Sequence, residues 1–292
     1  SLSGVAFRKN DEDYKKVFAN ELNMLTPENQ FEFGHLHPKR DVWNFDLTDQ
    51  MVEFAKQNGM TVRGHCFDWH LSNPPWLEKN VFTSFELEAY LKEFIEKTMK
   101  RYKEKYPGVI QYWDIANESI DDNAQPRKSV WSKIGKEPND HIEFAFKAAN
   151  QADPDMKLFY NDYGIEELNA KSNTVYEMIK TMKEKGVPIH GIGFQMHLVG
   201  TLDYNFDSMA KNFERFRKLG LIIHITELNN KLDLNGRIGG PTSKQLNVQA
   251  QNYANIAKLC INEPACSAII HWNLTDKYYD EEGGYKGWGS PA

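Results

Sequence analysis

Two glutamates stand apart from the other acidic residues of this 292-residue chain. Glu118 ends the run "GVIQYWDIANE" and Glu227 ends "LIIHITE". Each is a lone carboxylate at the same end of an apolar stretch. Taken singly, such a glutamate is more often a loop cap or half of a surface ion pair. Two of them meeting across one bond would do chemistry. Hydrolysis of a glycosidic bond needs a carboxylic acid to protonate the leaving oxygen and a carboxylate to act at the anomeric carbon. Asn117, beside Glu118, could hold a sugar 2-hydroxyl, a contact that strengthens in the transition state.

Such groups need elements to aim them. Short apolar runs at 3–7, 21–26, 60–66, 109–116, 157–161, 191–196, 221–226 and 267–272 predict eight strands. Amphipathic stretches separate them. In 46–59, Leu47, Met51, Phe54 and Ala55 share one helix face, and Gly59 ends it. The stretch 84–108 opens on Ser84 as an N-cap and stops at Pro107 and Gly108. The segments 140–152, 168–185, 206–219 and 243–262 repeat the pattern. Eight strands and seven intervening helices predict a parallel sheet closed into a (β/α)8 TIM barrel, a single catalytic domain over residues 1–292. An open doubly wound sheet fits less well, because no glycine-rich phosphate loop follows the first strand. Little sequence follows the eighth strand, so the barrel could lack its last helix.

Barrel enzymes place their chemistry at the C-terminal ends of the strands. Polar and aromatic residues gather there. They are Glu28 and Asn29, His65 with Asp68, Trp69 and His70, Asn117 and Glu118, Asn161 to Tyr163, Gln195 and His197, Glu227, and Trp272. Trp69 and Trp272 offer flat apolar faces for sugar rings. Tyr163 joins this rim. Each histidine alone is better read as a satisfied core residue. None sits in an HxxxH or HExxH pattern, so no metal and no cofactor are expected. If the strands carrying Glu118 and Glu227 face each other across a barrel, the two carboxylates meet over its mouth.

Composition narrows the partners. Apolar residues make up 40% of the chain, enough for a full core, and the net charge is -6. The absence of a basic stripe argues against nucleic acid, and a mixed acidic surface suits a neutral substrate. No apolar run reaches the roughly 18 residues of a membrane span. No signal peptide is visible in "SLSGVAFRKN". A monomer is expected. Cys66 reads as a buried thiol. The Pro264 turn could bring Cys260 and Cys266 within bonding distance, though three free thiols fit the sequence as well. One bonded pair would be compatible with secretion to the cell exterior.

With these residues in view, the chain resembles the family 10 glycoside hydrolases, the retaining endo-β-1,4-xylanases. "WDIANES" is similar to their acid/base segment WDVVNE, and "ITELN" to their nucleophile segment ITELD. "RGHCFDWH" resembles RGHTLVWH, "GIGFQMHL" GIGxQxH, "LTPEN" VTxEN and "NDYG" NDYN. The likeness is collinear from about Ser3 to about Tyr278. It implies Glu118 as acid/base and Glu227 as nucleophile in the hydrolysis of xylan by double displacement. It places Asn29, His65, Trp69, Asn117, Gln195, His197 and Trp272 along the sugar sites. "CINEPAC" sits where many members carry a disulfide.

Three positions depart from the family pattern. Glu32 stands where a lysine holds sugar hydroxyls on the glycone side. Asn229 replaces the ITELD aspartate, which orients a histidine. Asp280 replaces a second tryptophan on the last loop. These changes leave open a retaining β-glycosidase with another substrate, such as a β-glucan or an aryl or steroidal glycoside. A carbohydrate-binding protein without turnover is a third reading, and two intact glutamates speak against it.

Overall fold

The computed structural model describes residues 1–200, 202–233, 240–275, 277–278 and 288–289. Its elements run α1 (Gly4–Arg8), α2 (Glu12–Glu21), β1 (Met24–Leu25), α3 (Phe33–Leu36), α4 (Asp46–Gln57), β2 (Thr61–Trp69), α5 (Pro75–Glu78), α6 (Ser84–Lys105) and β3 (Ile110–Asn117). They continue with a 3-10 turn (Trp131–Lys133), α7 (Asp140–Ala152), β4 (Lys157–Asp162), α8 (Ala170–Glu184), β5 (Gly191–Phe194), β6 (His197–Val199), α9 (Phe206–Lys218), β7 (Ile222–Asp233), α10 (Ser243–Asn262), β8 (Cys266–His271) and β9 (Trp288–Gly289).

Strands β1, β2, β3, β4, β5, β7 and β8 pair in that order, every pair parallel. Residues 1–3 fill the gap between β8 and β1. Leu2 bridges Pro27 in parallel, and the Ser1 amino group donates to the His271 carbonyl. The result is a nearly closed (β/α)8 barrel. Strands β2 to β5 and β7 are buried on both faces along most of their length, so they read as near-continuous apolar runs.

The expected first strand, 3–7, is instead helix α1. Ser3 caps it, its Oγ accepting from Ala6 N at 3.2 Å. A buried apolar run this short does not distinguish strand from helical turn by periodicity. The N-cap of α6 is Thr83, not Ser84. Its hydroxyl takes the Glu86 N–H, and Glu86 Oε2 accepts from Thr83 N at 2.8 Å. A glutamate three residues on makes that reciprocal pair possible. The expected strand 191–196 ends at Phe194, because Met196 adopts a left-handed backbone at φ 62°. Cys260 and Cys266 are joined by a disulfide between the end of α10 and the start of β8, and Cys66 is a buried free thiol. Asp280, and the stretch where a last helix was in question, lie outside the described residues.

The barrel interior carries a polar column. Arg63 on β2 and Asp114 on β3 are fully buried and paired, with Arg63 Nε 3.1 Å from Asp114 Oδ2. Arg63 Nη1 lies 2.8 Å from Nδ1 of His224 on β7, whose Nε2 is 3.0 Å from Ser267 Oγ. Burial and the adjacent guanidinium hold His224 well below its ordinary pKa, so it stays neutral and accepts from Arg63. Asp114 also takes His65, at 2.9 Å, which carries the column up to the rim.

Candidate active site

Register shifts in β2, β3 and β7 bend the strands near their C-terminal ends. They fall between His65 and Asp68, Asp114 and Ala116, and Ile225 and Leu228. Such irregularities re-aim side chains beside functional sites. Here they bring Trp69, Asn117, Glu118 and Glu227 together.

Glu118 follows β3 with a left-handed backbone, φ 54°. That conformation is costly for a residue other than glycine and persists only where neighbours enforce it. Two hydrogen bonds do so. Glu118 N donates to the Asn161 carbonyl at 2.9 Å, and Arg127 Nε donates to the Glu118 carbonyl at 2.8 Å. The carboxylate then accepts from Trp69 Nε1 at 3.1 Å and from Gln195 Nε2 at 3.0 Å. His70 Nδ1 is 3.8 Å away.

Glu227 is buried on β7. Its Oε1 accepts from Asn161 Nδ2 at 2.8 Å, and its Oε2 lies 3.0 Å from His197 Nε2. Burial alone would push its pKa up. The bond from His197, the charges of His65 and His197, and the bond from Asn161 outweigh burial and hold it below the ordinary value of 4.5. His197 moves the opposite way. Burial lowers it, but Glu227 raises it above 6.5 overall. His65 is treated alike: burial pulls it down, while Cys66, Asp114 and Glu227 hold it well above its ordinary value.

Asn161 links the two glutamates, its carbonyl accepting from Glu118 N and its Nδ2 donating to Glu227 Oε1. Gln195 Nε2, bound to Glu118, also reaches Asn117 Oδ1 at 3.3 Å. Asn161 Nδ2 spans Asn117 Oδ1 at 2.9 Å and Glu227 Oε1. Turned over, the Asn117 amide gives up both contacts: its oxygen accepts from Trp69 Nε1 at 3.1 Å and its nitrogen donates to the Asn161 carbonyl at 3.2 Å. Asn161 is fixed by Thr226 Oγ1, which donates to its Oδ1 at 2.7 Å.

Gly193 on β5 makes room for Asn161. A Cβ there would lie 2.1 Å from Asn161 Oδ1 and 2.8 Å from Thr226 Cγ2. Gly193→Ala is therefore expected to displace Asn161 and lower kcat by roughly 10- to 100-fold, while the chain still folds. Steady-state kinetics and a thermal melt check this.

The other expected residues sort clearly. His65 faces Trp272 edge-on, ring centroids 5.6 Å apart, and lies 6.3 Å from Trp69. Tyr163 is held beside the acid by Arg127, whose Nη2 donates to its hydroxyl at 3.0 Å. Lys171 Nζ sits 3.5 Å from its ring centre. Asn229 pairs in register with His197. His197 Nδ1 and Asn229 Oδ1 both lack a close hydrogen bond among the described residues. Asn29 and Glu32 do not bond to Glu118 or Glu227. Glu32 is buried at the start of α3, 3.4 Å from His35 Nδ1. Asp68 leaves the rim, pairing with His141 of α7 at 2.6 Å.

Arg127, Asp114 and Arg63 were not singled out by sequence, and Asn161 was placed on the rim without a role. Asn161 had a signal, its strand-end place beside Tyr163. Arg127 and Arg63 had none, since an arginine in a polar loop or in an apolar strand does not announce its partner.

The chain matches known proteins along nearly its whole length. The family model described as Glycosyl hydrolase family 10 matches residues 2–286. Endo-1,4-beta-xylanase B of Thermotoga neapolitana is 43% identical over 282 residues, covering 95% of this chain and 77% of that protein. The crystal structure of xylanase 10B from Thermotoga petrophila RKU-1 in complex with xylobiose superposes with a TM-score of 0.91 at 42% identity. It covers 99% of this chain and 85% of that one. Native xylanase 10B from Thermotoga maritima gives a TM-score of 0.88 at 44% identity, covering 95% and 82%. A barrel with two linked carboxylates at its mouth, matched along nearly its whole length, belongs to glycosyl hydrolase family 10.

Proposed function

We propose that the protein is a retaining endo-1,4-β-xylanase. The observation that carries this reading is the link through Asn161, whose carbonyl accepts from Glu118 N and whose Nδ2 donates to Glu227 Oε1, with Gln195 Nε2 bound to the Glu118 carboxylate. It supports two carboxyl groups poised over one sugar. Glu118, oriented by the hydrogen bonds it accepts from Trp69 and Gln195, protonates the leaving oxygen from its neutral form. Glu227, ionised by its histidine and asparagine partners, attacks the anomeric carbon. Water activated by Glu118 then cleaves the glycosyl-enzyme. Asn117 bonds the sugar 2-hydroxyl. His65, Trp69, His197 and Trp272 line the glycone side, and Tyr163 the aglycone side. The relatives crystallised with xylobiose support xylan as the substrate.

Reducing-sugar release from β-1,4-xylan, set beside a panel of β-glucans and aryl β-glycosides, tests the reading. Preference for a glucan or aryl glycoside would favour the second reading, a β-glycosidase with another glycone. The buried Glu32 carboxylate is the observation behind that alternative. Glu32→Lys is expected to raise kcat/KM on short xylo-oligosaccharides by roughly tenfold and to change the product pattern. An unaltered rate and pattern would remove Glu32 from the specificity argument.

The pH dependence follows from Glu227. Turnover needs its anion, and its pKa lies below 4.5. The acid limb of kcat/KM should fall below that pH. Removing His197 deletes the hydrogen bond that opposes burial, so His197→Ala should move the limb to higher pH. A limb that stays put would contradict the assignment.

The bonded Cys260–Cys266 pair supports an oxidising compartment, hence secretion. Family membership alone leaves this open, since a xylanase of Thermoanaerobacterium saccharolyticum is described as intracellular.

A further inference from the structure

The segment Gln195–Met196–His197 serves both carboxylates at once. Gln195 donates to Glu118 at 3.0 Å, and His197 sits 3.0 Å from Glu227. Between them Met196 is fully buried in the left-handed region, φ 62°. An unbranched L-residue does not rest there without help. Its neighbours are tied to the sheet: Gln195 N donates to the Asp162 carbonyl, and Glu227 N to the Gln195 carbonyl, both at 3.0 Å. The Met196 N–H cannot continue that ladder. It donates to Glu166 Oε1 at 3.0 Å.

Glu166 lies in the loop between β4 and α8 and is buried. Asn212 of α9 anchors it, with Nδ2 donating to the carbonyls of Ile165 and Glu166 at 2.6 and 2.9 Å. Arg215 Nε in turn donates to Asn212 Oδ1 at 2.7 Å. Among the described residues no lysine or arginine forms an ion pair with the Glu166 carboxylate. Burial pushes its pKa up, against the pull of its own N–H, the Met196 N–H and the more distant charges of His197 and Lys171. A buried carboxylate without a lysine or arginine ion pair is expensive and calls for a task.

We propose that Glu166 is a positioning residue for both steps of the reaction: by accepting the Met196 N–H it holds the left-handed turn that delivers Gln195 to Glu118 and His197 to Glu227. This rests on the roles assigned to the two glutamates above. What matters is the reach of the acceptor oxygen. Glutamine keeps that reach without the charge, whereas aspartate keeps the charge and withdraws the oxygen by one methylene.

The test compares Glu166→Gln with Glu166→Asp. Kinetics are run on whichever β-glycoside the wild type cleaves best, and the His197 imidazole is titrated by NMR. Glu166→Gln should keep kcat close to wild type. Glu166→Asp should lose roughly 10- to 100-fold in kcat with little change in KM. Its His197 should titrate nearer the ordinary 6.5, as the contact with Glu227 loosens. A wild-type kcat or an unmoved His197 in Glu166→Asp, or a glutamine variant worse than the aspartate one, overturns the proposal. The titration needs no substrate. A wild type that cleaves nothing would therefore sink the xylanase reading and leave Glu166 to be judged by His197 alone.

Discussion

Glu227→Ala is expected to abolish xylan hydrolysis, lowering kcat by roughly 10⁵-fold, the scale seen when a covalent nucleophile is removed. The side chain leaves Asn161 and His197 in place but without their shared acceptor. The barrel should remain folded, because the strand ladder around Glu227 runs through its backbone N–H to the Gln195 carbonyl. The small cavity left by the carboxylate should admit azide. Azide would then attack the anomeric carbon of an aryl β-xylobioside from the nucleophile's side and give the α-glycosyl azide. Recovery of that product marks Glu227 as the attacking group. A β-azide would mean that the two roles are exchanged.

The second large effect belongs to Glu118. Glu118→Ala should lower kcat on xylan by roughly 10²- to 10⁴-fold, the usual worth of a positioned proton donor. The loss should depend on the leaving group. An activated aryl glycoside needs no proton in the first step, so glycosylation should stay fast. The intermediate should accumulate, because no base remains to activate water. A burst of phenol followed by slow turnover is the expected trace. Azide should rescue the second step and give the β-glycosyl azide. Equal losses on good and poor leaving groups would argue that Glu118 only holds the site together through Trp69 and Gln195.

The sequence made the central strands legible for a physical reason. β2 to β5 and β7 are buried on both faces along most of their length, and their apolar runs are punctuated by capped helices such as 243–262, with Thr242 and Gln245 in a reciprocal cap. The site carboxylates were legible only jointly, because polar and aromatic groups gather at the same end of several such runs. What could not be read depends on contacts distant in sequence. Residues 3–7 have a strand's composition but a helix's cap. Asp68 looks like a rim residue until His141, on another helix, is seen to claim it. Arg63 sits unannounced in an apolar strand because its partners Asp114 and His224 come from two other strands. Glu166 lies in a charged loop, "GIEEL", where nothing marks one glutamate as buried. Its function hangs on the backbone conformation of Met196, which no residue pattern records.

The glycone side tells a similar story. Glu32 departs from the family pattern as sequence indicated, and its carboxylate is buried beside His35. The His197–Asn229 pair departs in the same direction. A neutral amide replaces an anion behind the histidine, so Glu227 supplies most of the pull that raises the His197 pKa.

The most direct test of the central claim is the anomeric configuration of the sugar first released from xylohexaose, followed by proton NMR. The account predicts the β-anomer first, with the α-anomer appearing only at the rate of mutarotation, because Glu118 and Glu227 act by double displacement. Initial release of the α-anomer would contradict it.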